Sequence, residues 1–417
     1  MHRLKHQVGT LTIPVPRQIL SIRCLFLLGI ASCAILWFES TSRDNQYTET
    51  DLVNEALKNV ANDLRYYELY RHPNKLPRDL KYILLWTPYD YSPFYQLGKG
   101  QRAFIEHNCS SINCYITTDR KFLGGDVTKF DAIAFNGRNI HNLRSWDLPQ
   151  RRSPHQKYIF VITESADNYP VCDEKYDDFF NWTYTYRLDS TIRNQYIIIK
   201  NKYDEIVGPR KDMEWVDMTA IDEELPYIHN KTKAAAWFVS NCDSRNNRNE
   251  FVKKLQHELS LYGLTIDIYG NCGTLRCPKW APECFSMLEK NYYFYLALEN
   301  SFDEDYITEK VLTAFHHNTV PIVYGGANYS MFLPPHSYLD GRKQTPKQLA
   351  ATMAKAIESS EEYQRFFWWK RHYSYPEQNS YCICSLCSTL SNSSMFNTYS
   401  VYKNFREYWN PNYKKRC

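Results

Sequence analysis

Residues 298–310, Leu-Glu-Asn-Ser-Phe-Asp-Glu-Asp-Tyr-Ile-Thr-Glu-Lys, bring carboxylates, an amide and a lysine into one short stretch. An apolar run, 293–298, ends there and is fit for a buried strand. Beyond it Ile307, Val311, Ala314 and Phe315 recur at helical spacing, which predicts a helix over 306–316 with one apolar face. Asp303 or Asp305 would be its N-cap. Ligands of open α/β sheets sit at the carboxyl ends of strands, where this loop falls. The helix start offers free N–H groups and a positive dipole end to a diphosphate. Glu299 would hold sugar or ribose hydroxyls, and Lys310 would meet phosphate charge. The run 320–324, Val-Pro-Ile-Val-Tyr, predicts the next strand, and Gly325-Gly326 a tight turn. The same pattern also describes ordinary structure, since a capped helix with an exposed Glu-Lys pair needs no ligand.

Elements must hold that loop in place. Apolar runs at 82–86, 114–117, 132–135 and 158–162 predict strands separated by more polar stretches. A second set has strands at 234–240 and 264–269, a helix over 250–262 between them, and then the strand-loop-helix above. Strands alternating with helices predict parallel sheets in α/β layers. The two sets divide near 225–230, which suggests two Rossmann-like domains facing a cleft, 76–228 and 229–376, followed by a cysteine-containing tail, 377–417, expected to pack back on the first domain.

Composition bounds the rest. Fifty basic and 46 acidic residues leave a net charge of +4, spread without a patch, so nucleic acid is not an expected partner. Aromatic residues make up 16% of the chain, which suits stacking on sugar faces and equally an ordinary core. Residues 19–38 are apolar apart from Ser21, Arg23 and Ser32. The uncharged part, 24–38, falls short of the ~20 residues of a spanning helix, but Arg23 could snorkel. Arg3, Lys5, Arg17 and Arg23 precede or open the run, and Glu39, Asp44, Glu49 and Asp51 follow it. The positive-inside bias then makes 1–18 a cytoplasmic tail, 19–38 a signal-anchor and 39–75 a polar stem, with the bulk luminal. A cleaved signal peptide is the alternative, although no small-x-small site follows the run.

Sequons at Asn108, Asn181, Asn230, Asn328 and Asn392 agree with a lumen, as do the cysteines beyond the anchor: Cys109, Cys114, Cys172, Cys242, Cys272, Cys277, Cys284, Cys382, Cys384, Cys387 and Cys417. Their number is odd, so at least one stays outside an intrachain bridge. Cys384-Ser-Leu-Cys387 has the CxxC spacing of a zinc site, but no second such pair completes it, and disulfides are the expected use.

The segment YFYLALENSFDEDYITEKVLTAFHHNTVPIVYGGANYSMFLPPHSYLD resembles the hallmark segment of the eukaryotic and bacterial α1,3-fucosyltransferases. FNWTYTYRLDS (180–190), WFVSNCDSRNNR (237–248) and YGNCG (269–273) resemble further blocks of that family, so the likeness runs over about residues 80–390. It implies a GT-B architecture, with the acceptor on the first Rossmann-like domain and GDP-fucose on the second, and transfer with inversion to GlcNAc of glycoprotein glycans. The acceptor would be the N-glycan core or an antenna, with the NWTYTYRLDS block closer to invertebrate core-type members. The implied setting is the Golgi membrane, in single-pass type II topology.

The family's general base lies in an E-S-P element, which reads Glu164-Ser165-Ala166 here; taken alone, Glu164 is equally a solvated loop acid. The resemblance assigns the donor to Arg248, Glu299, Asn300, Tyr306, Glu309 and Lys310, with Asn241, Tyr269 and Gly270 lining the same site. No metal is obligatory, and a divalent cation would at most stimulate. Cys382, Cys384 and Cys387 resemble the terminal cluster that bridges to Cys109 and Cys114 and would tie the domains, while Cys272, Cys277 and Cys284 would form a local set. Ala166 in place of proline, Thr191 after Asp189-Ser190, and Gly341-Arg-Lys-Gln344 after the hallmark segment depart from the pattern. Two other readings compete. Asp303-Glu304-Asp305 has the DxD form of Mn²⁺-dependent GT-A transferases. A non-catalytic glycan-binding protein could also keep the fold, yet Glu164, Arg248, Glu299 and Lys310 are all retained.

Overall fold

The computed structural model describes residues 80–218, 228, 231–278, 281–377, 381–411 and 413–417. The cytoplasmic tail, anchor and stem expected over 1–75 lie outside them, as does sequon Asn230. Among the described residues no helix is long and apolar enough to cross a membrane.

Strands β1 (Lys81–Leu85), β2 (Cys114–Thr117), β3 (Ala132–Asn136), β4 (Lys157–Ile162), β5 (Trp182–Thr185) and β6 (Ile192–Arg193) form a parallel sheet in the order β2-β1-β3-β4-β5-β6. Each residue of β4 is buried. The run 157–162 is apolar beyond its first residue because a central parallel strand is covered on both faces. Ile83, Ile116, Ile159 and Val161 alternate to one face, while Phe135, Tyr158 and Phe160 turn to the other.

After a short antiparallel pair, β7 (Ile199–Asn201) and β8 (Ile206–Gly208), a second parallel sheet follows. It contains β9 (Lys233–Phe238), β10 (Ile266–Tyr269), β11 (Tyr292–Leu298), β12 (Val320–Tyr324) and β13 (Leu339–Asp340), in the order β10-β9-β11-β12-β13. Helices α1 (Arg248–Ser260), α2 (Pro282–Asn291), α3 (Glu309–His316) and α4 (Pro346–Glu358) accompany it. Strand β14 (Tyr373–Ser374) returns to pair with β7.

The tail covers both faces of the first sheet. Helix α5 (Tyr381–Ser391) packs Ile383, Leu386 and Leu390 among Ile83 and Ile116. On the other face α6 (Phe405–Trp409) sets Phe405 and Trp409 each 4.9 Å from the Phe160 ring.

The start of α3 differs from the sequence expectation. Its N-cap is Thr308, and the helix opens at Glu309 rather than 306. Asp303 and Asp305 lie three or more residues before that cap and turn their carboxylates to Ala166, Tyr186 and Leu188, so neither is the cap.

Disulfides join Cys109–Cys384, Cys114–Cys387, Cys172–Cys417, Cys242–Cys272 and Cys277–Cys284. Three expectations change. The first two bridges fasten the tail to the first sheet's half instead of tying the halves together, because α5 lies on that sheet. Cys382 belongs to none of the five; its thiol faces the Gln195 carbonyl at 3.4 Å, and burial pushes its pKa up to about 12. Cys272 leaves the local set for Cys242, as the loops after β9 and β10 lie side by side.

Sequon Asn181 is buried; its amide donates to the Ser400 carbonyl at 2.7 Å and its oxygen accepts from Tyr158 N–H, so both polar atoms of the side chain are engaged within the fold. Asn108, Asn328 and Asn392 are exposed.

Candidate active site

Strand β11 leads directly into Glu299, which is fully buried. Its carboxylate accepts from Thr308 N–H (2.8 Å), Thr308 Oγ1 (3.0 Å) and Lys310 Nζ (3.0 Å). The chain's own acid therefore meets the N–H that caps α3 and was expected to face a diphosphate. Glu299 lines neither of the two cavities described below, and its carboxylate pairs with Lys310. Burial pushes the Glu299 carboxyl above its ordinary range, only partly opposed by Lys310. Burial alone would lower the Lys310 ammonium, but Glu299 and Glu309 override it and hold it above the ordinary lysine value. Glu309 is exposed at the cavity edge; desolvation by its surroundings is outweighed, chiefly by Lys310, and the carboxyl ends below its usual range.

Arg248 opens α1 behind Asn247, whose φ of 53° turns the chain sharply. Its buried guanidinium donates to the carbonyls of Leu298 (2.7 Å) and Asn241 (2.9 Å), joining the end of β11 to the loop after β9. Its Nε is buried without a protein acceptor. Gly270 has φ +102°, and a Cβ there would strike the Val239 carbonyl, so only glycine lets these two loops close. Beside it Tyr269 and Tyr292 share a 2.7 Å hydroxyl contact. Arg248, Asn300, Glu309, Lys310, Asn241, Tyr269 and Gly270 line one cavity of about 310 Å³. Tyr306 lies outside it.

A larger cleft of about 820 Å³ opens next to this cavity, and Phe285, Glu309 and Thr313 line both. Glu164 lies on the cleft wall, two residues past β4. Tyr306, buried, donates its hydroxyl to Glu164 Oε2 at 3.2 Å across the two halves. Tyr196 donates to the Thr163 carbonyl at 2.9 Å and holds the same loop.

Asp303 and Asp305 turn toward the first half. Asp303 Oδ2 accepts from Ala166 N–H and Tyr186 Oη, and Asp305 Oδ2 accepts from Leu188 N–H at 3.0 Å. The DxD carboxylates thus serve protein donors. Among the described residues, no group of three or more His, Cys, Asp or Glu is poised for a metal.

Sequence reasoning missed much of the cleft. Arg138, its guanidinium 4.7 Å from the Tyr91 ring, faces it together with Tyr91, Tyr95, His316 and His317. These positions are scattered through the chain, and no local spacing marks them.

Residues 78–197 match the family profile "Fucosyltransferase, N-terminal", and residues 228–408 match "Glycosyltransferase family 10 (fucosyltransferase) C-term". The chain is 32% identical over 405 residues to alpha-(1,3)-fucosyltransferase C of Drosophila melanogaster, covering 94% of this chain and 89% of that one. It is 31% identical over 357 residues to glycoprotein 3-alpha-L-fucosyltransferase A of the same species, covering 84% and 64%. A solved structure of an alpha1,3-fucosyltransferase with GDP-fucose superposes with a TM-score of 0.46 at 15% identity, over 78% of this chain and 92% of that one. With two family profiles spanning both sheets and relatives matched along most of its length, the chain belongs to glycosyltransferase family 10, among the eukaryotic α1,3-fucosyltransferases.

Proposed function

We propose that the protein transfers fucose from GDP-fucose, with inversion, to the 3-hydroxyl of GlcNAc in glycoprotein glycans, the N-glycan core before the antennae. The cavity with Lys310 and Arg248 would take the GDP moiety, and the neighbouring cleft the acceptor. Glu164 would accept the hydroxyl proton as the new C1–O bond forms from the face opposite GDP and the bond to GDP breaks. Lys310 and Arg248 would stabilise the charge that develops on the leaving diphosphate. Two half-sites in a GT-B arrangement, joined at the site by the Tyr306–Glu164 contact, suit this division of labour. The N-terminal apolar run agrees with a type II Golgi anchor that leaves the catalytic part luminal.

The contact from Tyr306 to Glu164 carries the reading. It puts a carboxylate held by a neutral hydroxyl, not by a cation, on the cleft wall beside the donor cavity. Glu309 lines the cleft too, but it is paired with Lys310. Glu164→Gln keeps the shape and removes the base, so transfer should fall at least ~100-fold while GDP affinity holds. Near-normal turnover in that variant would defeat the assignment. GDP-fucose offered with a panel of defined glycans, and product linkage read by NMR, separates core from antennary acceptors. Transfer should persist in EDTA, since Asp303 and Asp305 are engaged by protein donors.

A further inference from the structure

The loop that carries Glu164 is held largely from the other half of the molecule. Ser165 is fully buried, and its hydroxyl accepts from Ser301 Oγ at 2.6 Å. Ala166 N–H donates to Asp303 Oδ2 at 2.5 Å. Tyr186 Oη donates to the same oxygen at 2.7 Å and also accepts from Ala166 N–H at 3.2 Å. Asp303 Oδ1 is satisfied by Glu304 N–H at 3.0 Å. Behind this loop Gly326 has no side chain, and a Cβ there would collide with the Asp303 backbone. Asp303 itself lines neither the donor cavity nor the cleft.

From this geometry we propose that Asp303 is a positioning residue for Glu164: it grips the loop next to the base through Ala166 N–H and Tyr186 and so sets the base relative to the donor segment that Asp303 belongs to. The proposal rests on the reading of Glu164 as the base. A charge-assisted bond from a carboxylate to a backbone N–H is among the stronger and more directional contacts available. Its acceptor lies only four residues from Glu299, which fixes Lys310. One segment therefore registers both reacting sides, and a base misplaced by about 1 Å costs on the order of 100-fold in rate.

The test compares Asp303→Ala, Asp303→Asn, Tyr186→Phe and Glu164→Gln in the full chain, with kcat, KM for both substrates and GDP affinity by calorimetry. Asp303→Ala should lower kcat by about 10- to 100-fold and leave GDP affinity within about twofold, because no contact in the donor cavity changes. Asp303→Asn keeps an acceptor oxygen for Ala166 and Tyr186 and should recover most of the rate. Tyr186→Phe removes one hydroxyl without changing ring packing, so it should fold and lower kcat several-fold with the same split, even where Asp303→Ala fails to fold. Four outcomes overturn the proposal. One is kcat near wild type in Asp303→Ala while Glu164→Gln is inactive. Another is GDP affinity falling in parallel with kcat. The third is Asp303→Asn no better than Asp303→Ala. The last is an active Glu164→Gln, which removes the base reading and this proposal with it, a result distinguishable from the other three.

Discussion

Lys310 is held on the wall of the proposed donor cavity at the expense of a buried acid. Glu299 is fully buried, and Lys310 and Thr308 are what keep its carboxylate tolerable there. Lys310→Ala therefore does two things. It removes a cation from the donor cavity, so GDP affinity should fall at least about tenfold, the ~1.5–3 kcal/mol of a hydrogen bond to a charged group. It also leaves a buried carboxylate without its counter-ion, which costs about 3 kcal/mol of stability. Adding Glu299→Gln should restore most of the melting temperature but not the affinity, and calorimetry beside thermal unfolding separates the two. The pH sign follows from the same pair. Lys310 titrates above the free lysine value of 10.5, so the stability it contributes is complete below pH 10.5 and fades as pH climbs through its folded value. The Lys310→Ala variant should lack that part of the alkaline loss.

At the scale of elements, the sequence was most readable where burial dictates composition. The run 114–117 matches β2 and 320–324 matches β12, and the other apolar runs fall within a residue or two of their strands, since strands covered on both faces must be apolar throughout. The residues of the donor cavity came from the family resemblance; residue type and position alone pointed there only through Lys310. What the sequence hid was direction. Asp303 and Asp305 look like helix caps because such caps are local, yet both reach residues more than a hundred positions away, which no local pattern encodes. Glu299 looks like a ligand-binding acid because its burial is invisible in one dimension. Tyr306 could be assigned to the donor site by resemblance, but its hydroxyl meets Glu164. Gly270 lies where the loops after β9 and β10 meet; the resemblance assigned it to the site, but spacing alone does not show the close approach of Val239. Gly270→Ala meets both a left-handed φ and the Val239 carbonyl. It should cost about 2–3 kcal/mol through strain and displacement of the wall and lower GDP affinity, whereas Gly263→Ala, also at positive φ but in open space, should lose stability only.

Across the whole molecule, the tail is as much part of the first half as its own strands. Three bridges close very long loops, with separations of 275, 273 and 245 residues. The first two interleave along the chain, their ends five residues apart on one side and three on the other. While Cys114–Cys387 stands, Cys109–Cys384 closes only the short ring between the two bridges, and the converse also holds. Replacing one pair by serines should thus cost about 2–3 kcal/mol, the closure entropy of a ring of roughly ten residues. Replacing both opens a loop bounded only by the distant Cys172–Cys417 bridge and should cost about 6–7 kcal/mol, more than twice the single loss. That is comparable to the whole stability of many domains, so α5, with Ile383, Leu386 and Leu390, should separate from the first sheet and expose Ile83 and Ile116. Urea unfolding of the three variants under non-reducing conditions measures the non-additivity. Equal, additive losses would mean that each bridge acts through local packing alone, and a double variant as stable as the singles would mean that α5 stays on the sheet by its apolar face without either bond.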